Sequence, residues 1–398
     1  MIPPADLVPR LLALSRELAP EMERIRRAVH AHPELGFEEE RTAGLVAGVL
    51  ERAGWDVRTG VARTGVVARL GGSPSSPAAA LRADMDALPI AEETGLPFAS
   101  DVPGVMHACG HDGNVAAVAG AALLLSRVGE VSHPAVCLFQ PSEETFPGGA
   151  IEMIDAGVIE DENVGCIYAV HAEPSLPVGS FGVADGVVTA AADSFELDVV
   201  GAGAHGAQPH KGRDAVTVAS EIVLALQTIV SRRCDPMSPA VLSVGTIEGG
   251  RSFNVVADRV RMSGTVRALT EDVRAFIQRE MEQLAVGIAE AHGLSAELRY
   301  QVGNPPLLND RRLCAQVRGL AELVAGSPDR VAARGPEMVG EDFAYFGRRV
   351  PVLMAHYGVG PAPPLHSSRF VLNDAAVPPV AALLAAAVLT AEPGLGAG

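Results

Sequence analysis

The stretch Ala135-Val136-Cys137-Leu138-Phe139-Gln140-Pro141-Ser142-Glu143-Glu144 decides the reading of this chain. Five residues that prefer a core run together, Gln140 and Pro141 end the run, and two adjacent carboxylates follow. A short, bounded apolar run of this kind predicts a core strand. Pro141 has no N–H to give to a sheet ladder, so the strand stops there. The two acids then stand just past the carboxyl end of a strand, which is where open α/β sheets build their sites.

Working outward, the same signature repeats. Gly65–Leu70 and Ala79–Ala83 read as strands separated by the Gly-Ser-Pro segment from Gly71 to Pro77, and Gly165–Val170 reads as another. An amphipathic helix from Leu7 to His30 precedes them, and Gly113–Arg127 is an alanine-rich helix. Strands alternating with helices predict an α/β domain. The rhythm changes near Ser194, where Phe195, Leu197 and Val199 alternate as on a half-buried strand. Asp214–Arg233 then has helical spacing, Val241–Ile247 and Val256–Val266 are strand-like, and Thr270 caps a helix from Glu271 to His292. Glu297–Val302 completes a β-α-β-β-α-β order, that of a small ferredoxin-like α+β domain. The expected organisation is a mixed-sheet α/β domain at 1–187 and 303–398, interrupted by an inserted domain at 188–302. Hinges are expected near Asp185-Gly186 and Gly303-Asn304. Helix, a strand at Val352–Tyr357 and a core helix over Val380–Thr390 finish the first domain.

Bulk properties narrow the function classes. A chain of 398 residues exceeds what one core usually serves, in keeping with two domains. The formal charge is -17 and Lys211 is the only lysine, so neither a nucleic-acid surface nor an anionic-membrane surface is expected. Residues 1–24 show no basic region followed by an apolar one, and Val380–Thr390 is too short to span a bilayer. Five scattered cysteines (Cys109, Cys137, Cys166, Cys234 and Cys314) do not suit a disulfide framework. A cytoplasmic location is the expectation.

Chemistry gathers at the strand ends. Asp84 and Asp86 follow one strand, Glu143 and Glu144 another, and His171 a third; Cys109, His111 and Asp112 precede the alanine-rich helix, and His366 follows the last strand. Each alone has an ordinary explanation, since a buried cysteine is a small hydrophobe and a lone histidine is usually a satisfied polar residue. Together they form a borderline-soft sulfur, nitrogen and oxygen set that suits zinc, manganese, cobalt or nickel. If residues 143 and 144 are extended, their side chains point to opposite sides. One carboxylate would then hold metal while the other serves as the base that amide hydrolysis requires.

At these residues the chain resembles the M20 metallopeptidases, in particular the amidohydrolase branch of hippurate hydrolases, N-acyl-amino-acid deacylases and auxin-conjugate hydrolases. The motifs are His32-Pro33-Glu34-Leu35-Gly36-Phe37, Arg82-Ala83-Asp84-Met85-Asp86-Ala87-Leu88-Pro89, Met106-His107-Ala108-Cys109-Gly110-His111-Asp112, Gln140-Pro141-Ser142-Glu143-Glu144, Gly203-Ala204-His205, Gly340-Glu341-Asp342-Phe343-Ala344 and Leu365-His366-Ser367. They run in the family's order along nearly the whole chain.

The resemblance implies a di-metal hydrolase that cuts the amide bond of N-acyl amino acids. It implies two divalent ions per subunit on Cys109, His111, Glu144, His171 and His366, with the Cys109 thiolate between them. Glu143 matches the general base. His205 matches a histidine of the inserted lid that stabilises the oxyanion, and the lid implies a homodimer. Asn254 and Arg267 match substrate-contacting positions, with Arg267 facing the substrate carboxylate. Asp86 and Asp112 are expected to orient ligands, and His107, His210 and His356 to be structural. The family commonly carries a histidine where this chain has Asn114. Related readings are a dipeptidase, an N-carbamoyl-amino-acid hydrolase, or a binding protein of the same fold that has lost catalysis.

Overall fold

The computed structural model describes residues 3–73, 75–129 and 131–394. Of the expected segments, positions 1–2 and 395–398 at the ends, and position 74 in the Gly71–Pro77 loop, lie outside the described residues. The chain divides into two compact units: Met1–Val188 with Leu308–Gly335 and Asp342–Gly398, and Thr189–Leu307 with Pro336–Glu341. The short Pro336–Glu341 segment joins the second unit through its backbone, where the Ala190 N–H donates to Glu337 O and Val339 O, each at 3.0 Å.

The first unit is built on an eight-stranded sheet. Its spatial order is Asp56–Val61, Gly65–Leu70, Ala135–Gln140, Ala78–Asp84, Val164–Pro177, Val352–Gly360, Phe181–Ala184 and Val331–Arg334. The four strands from Ala135–Gln140 to Val352–Gly360 run parallel. Their carboxyl ends therefore share one edge, and Asp84, Gln140 and the loops beyond them converge there. Ala135–Gln140 and Ala78–Asp84 are buried along their whole length, as continuous apolar runs predict. Helices Pro4–Ala31, His111–Val128 and Val377–Leu389 pack on one another in the core of this unit. His111–Val128 is buried on nearly all sides because alanine and glycine let neighbouring elements approach it closely.

The second unit has a four-stranded antiparallel sheet in the order Ala240–Gly249, Arg259–Ala268, Ala191–Val200, Ser295–Asn304. In chain order this is 2-3-1-4, the ferredoxin-like arrangement. Helices Ala215–Thr228 and Glu271–Ala291 share its core. Thr270 caps the second helix, its Oγ1 accepting the Val273 N–H at 3.3 Å. By length and composition Ala215–Arg233 would pass for a membrane span. In the fold, Val218, Ala219, Ile222, Leu226 and Ile229 turn into the core of this unit, and Val216 and Leu224 face outward.

One buried carboxylate organises the second unit. Asp193 accepts from Arg274 Nε at 2.8 Å, from Arg274 Nη2, from Tyr300 Oη at 2.7 Å and from the Gly303 N–H at 2.7 Å. Arg274 Nη2 also donates to Gly303 O at 2.7 Å. A strand, a helix and the last strand of the unit are thereby joined at one charge.

Candidate metal centre

Local structure explains how each ligand is presented. Gly110 has φ 81° and precedes the helix His111–Val128. A Cβ there would lie 2.8 Å from Ala172 Cβ, so only glycine lets Cys109 and His111 come so close to the His171 strand. His111 Nδ1 hydrogen-bonds Asp86 O at 2.9 Å, and His171 Nδ1 bonds Ala172 O at 3.0 Å. With Nδ1 donating to a carbonyl in each ring, Nε2 is left bare as a potential ligand atom. Asp86 also fixes the glutamate loop, its Oδ2 accepting the Glu144 N–H at 2.9 Å. His366 has φ 63°, a conformation costly for a residue with a Cβ, and its N–H donates to Ala108 O at 2.9 Å.

The loop after Gln140 corrects one expectation. Ser142 has φ 51°, and residues 143–147 after it bend instead of extending. Its N–H is held by the buried Glu39 carboxylate at 2.8 Å. Beyond the loop, Asp342 accepts the Gln140 amide at 2.7 Å and the Ala150 N–H at 3.0 Å. The bend brings oxygens of Glu143 and Glu144 together with a His111 nitrogen, all within 4.8 Å of one another, where an extended segment would have separated the two acids.

Two donor triads share one sulfur. Cys109, His111 and His171 form the first, and Cys109, Glu144 and His366 the second, with ligand atoms in each within 4.8 Å of one another. Cys109 Sγ is 3.5 Å from His171 Nε2, Glu144 Oε1 is 3.2 Å from His366 Nε2, and His111 Nε2 is 4.0 Å from Glu144 Oε1. His111 Nε2 and Glu144 Oε1 are sealed from solvent yet have no properly formed hydrogen bond. Buried polar atoms of this kind are normally satisfied, so orphans converging around a thiol fit two divalent cations. Burial pushes the Cys109 thiol up, but His171 and His111 outweigh it and lower it to about 7. Burial likewise raises the Glu144 carboxyl, and His366 and His111 bring it below its ordinary value.

Around this cluster lies a buried ionic layer. Asp84 accepts from Arg82 at 2.7 Å and from the Asn114 amide at 2.8 Å, and its Oδ2 stands 3.8 Å from His111 Nε2. Asn114 Oδ1 in turn accepts from Tyr357 Oη at 3.0 Å. Asn114 can do this because its amide offers a donor and an acceptor, as one histidine tautomer would. Asp112 accepts from Arg26 at 3.0 Å and from His30 at 2.9 Å. Burial alone would lower His30, but Asp112 and Glu92 together raise it to about 9. His107 has no partner for either ring nitrogen, and burial holds it down at about 4.

His205, Asn254 and Arg267 belong to the second unit. His205 and Asn254 meet: His205 pairs with Val255 in a two-stranded ladder, and Asn254 O accepts the Gly206 N–H at 2.7 Å. Both are exposed. Arg267 lies toward the other end of the Arg259–Ala268 strand and donates to its own Val266 O at 3.0 Å and to Asp193 O at 3.4 Å. The sequence reading missed the Arg26–His30–Asp112 and Glu39–Ser142 supports. No local signal marks them, because their partners lie 82 to 103 residues apart. Asp342 is marked by its motif, Gly340-Glu341-Asp342-Phe343-Ala344.

Residues 80–390 match the model for Peptidase family M20/M25/M40. An N-acyl-L-amino acid amidohydrolase from Geobacillus stearothermophilus is 44% identical over 289 residues, covering 71% of this chain and 76% of that protein. An N-acetyl-L-cysteine deacetylase from Bacillus subtilis is 38% identical over 354 residues, covering 89% and 84%. A solved Bacillus subtilis structure, described as a dinuclear metal binding peptidase from the M20 family, aligns with a TM-score of 0.83 at 32% identity, covering 94% of this chain and 98% of that one.

Proposed function

This chain belongs to peptidase family M20/M25/M40, and on that premise we propose that it releases free amino acids from N-acyl amino acids by hydrolysing their amide bond. It is a di-metal amidohydrolase. The observation that carries the reading is the pair of donor triads sharing Cys109, with a Glu143 carboxylate oxygen beside His111 and Glu144. Two divalent ions held there supply Lewis-acid polarisation of the acyl carbonyl and acidification of water.

The chain's own groups do the rest. Glu143 takes the proton of the attacking water and delivers it to the departing nitrogen. Asp86, through its carbonyl and carboxylate, keeps His111 and Glu144 aimed at the centre. His205 stabilises the developing oxyanion, a contribution of about 3 kcal/mol for one preorganised donor. Asn254 contacts the substrate, and Arg267 meets its carboxylate. The mixed sulfur, nitrogen and oxygen donors favour manganese, zinc, cobalt or nickel.

The acting form is a homodimer through the second unit, located in the cytoplasm, with no nucleic-acid or membrane partner. Supporting the dimer, Ala240–Gly249 is an edge strand with one side unpaired, and Leu224 on the neighbouring helix is 73% exposed. Supporting the location, all five cysteines are free thiols. The test strips the metal and restores manganese, zinc, cobalt or nickel, using N-acetyl, N-benzoyl, dipeptide and N-carbamoyl substrates. Metal-restored release of amino acid from the N-acyl compounds is expected. Release confined to dipeptides or N-carbamoyl compounds would reassign the substrate, and tight metal binding without any hydrolysis would overturn the activity.

A further inference from the structure

Beside the ligand His171, the next two strands carry residues that the proposed reaction does not use. His171 pairs with His356 in the parallel ladder between Val164–Pro177 and Val352–Gly360. His356 pairs in turn with Gly182 in the antiparallel ladder to Phe181–Ala184. Residues paired directly across a sheet project to the same face. The two imidazoles meet there, their centroids 6.4 Å apart and their planes at 61°. Gly182, third in the row, has no side chain, and the space is filled from the next strand. A Cβ on Gly182 would lie 2.4 Å from Arg334 Cδ and 3.0 Å from Arg334 Cγ. The Arg334 stem therefore crosses this glycine, and its Nη2 reaches Glu173 Oε2 at 2.7 Å. Glu173 stands two residues beyond His171, hence on the same face, and its Oε1 accepts the Ser175 N–H at 2.9 Å.

His356 itself is poorly tethered. It is 8% exposed, and its Nδ1 is sealed from solvent with no hydrogen-bond partner. Packing sets its orientation, with His171 on one side and the arginine strap on the other. His171 needs such a wall, because its Nδ1 bond to the adjacent Ala172 carbonyl fixes the tautomer but tolerates swing of the ring.

We propose that His356 is a positioning residue for the ligand His171, and that Arg334, strapped across Gly182 onto Glu173, holds it in place. This rests on the di-metal reading of the first unit, so the test separates the two. Cobalt(II) is titrated into metal-stripped full-length protein, following heat of binding and the visible thiolate–cobalt spectrum. Wild type is compared with His171→Ala, His356→Ala, His356→Phe, Gly182→Ala, Arg334→Met and Arg334→Lys. The expected result is two sites in wild type, one lost in His171→Ala, and one weakened by about tenfold in His356→Ala, Gly182→Ala and Arg334→Met, as for other groups that orient ligands. His356→Phe, which keeps a wall, and Arg334→Lys, which keeps a cation for Glu173, restore both affinity and spectrum. The thermal midpoint of each metal-free variant reports fold damage separately, and Arg334→Met carries the test if Gly182→Ala fails to fold. Wild-type affinity and spectrum in both His356→Ala and Arg334→Met would overturn the proposal. A wild type that binds no cobalt, or a His171→Ala protein that binds both ions normally, would overturn the metal reading and the proposal with it.

Discussion

Two buried charge clusters, one in each unit, are built on opposite rules. Around Asp193 in the second unit, Arg274, Tyr300 and the Gly303 N–H all donate to one carboxylate. Around Cys109 in the first unit, His111 Nε2, Glu144 Oε1 and Asp86 Oδ1 are sealed from solvent without a hydrogen bond. Dry polar atoms cost stability unless they find partners, so the first pattern is what a fold selects for itself. The second persists only where something outside the chain supplies the missing charge, or where function tolerates the cost. Satisfaction separates a structural cluster from a chemical one more cleanly than residue type, since both contain buried carboxylates.

The comparison can be broken most sharply at Glu143. Glu143→Ala should lower kcat by about 10³-fold to 10⁴-fold, at the upper range for a lost general base, while metal analysis still finds two ions per chain. A variant with substantial turnover, or one that loses its metal, would show that Glu143 is not the base. Asp193→Ala should do the reverse. Removing the acceptor strands a buried Arg274, and about 3–5 kcal/mol of stability should be lost without loss of metal affinity in the protein that remains folded. Urea denaturation would measure it, and a cost under 1 kcal/mol would deny the hub its role.

His30 lies between these extremes, as a satisfied group beside the chemical cluster. Its pKa is raised in the folded state, from 6.5 to about 9. Its contribution is therefore complete below the ordinary imidazole value and disappears as pH rises through about 9. The stability gap between wild type and His30→Gln, measured by urea denaturation without metal, should narrow by about 3 kcal/mol between pH 6 and pH 9.5. A gap independent of pH would mean that folding leaves the His30 pKa unchanged. The smallest effect is expected at Glu144. Glu144→Gln should change the stability of the metal-free protein by only about 1 kcal/mol, because the ion pair it loses, Oε1 to His366 Nε2 at 3.2 Å, is half-exposed on the histidine side, yet one of the two ions should no longer bind. A large loss of metal-free stability would place Glu144 with the structural cluster.

What the sequence revealed follows the range of its signals. Gly65–Leu70 and Ala135–Gln140 occur with the bounds read from their apolar runs, and Thr270 caps its helix. Val164–Pro177 is more than twice the length read for it. Glu173, Pro174 and Pro177 look like a loop locally, and pairing with Val352–Gly360 carries the strand on to Pro177. The four-residue strands Phe181–Ala184 and Val331–Arg334 are too short to carry a period. The donors gathered around Cys109 were legible because their residue types are rare together. The bend at Ser142 was not, because a left-handed serine leaves no mark in composition and here depends on Glu39, far away in the chain.

The sheet order also dictates a timetable. Val352–Gly360 sits between Val164–Pro177 and Phe181–Ala184, so the two earlier strands are born with a gap between them. At 5–20 residues per second, a ribosome takes roughly 10–35 s to cover the intervening chain. During that interval the second unit can complete its own core, while the first shows open strand edges to its surroundings. His366, which lies beyond the last central strand, arrives later still. The nascent chain thus shows open strand edges before it holds a full set of metal ligands, so metal binding comes too late to cover them.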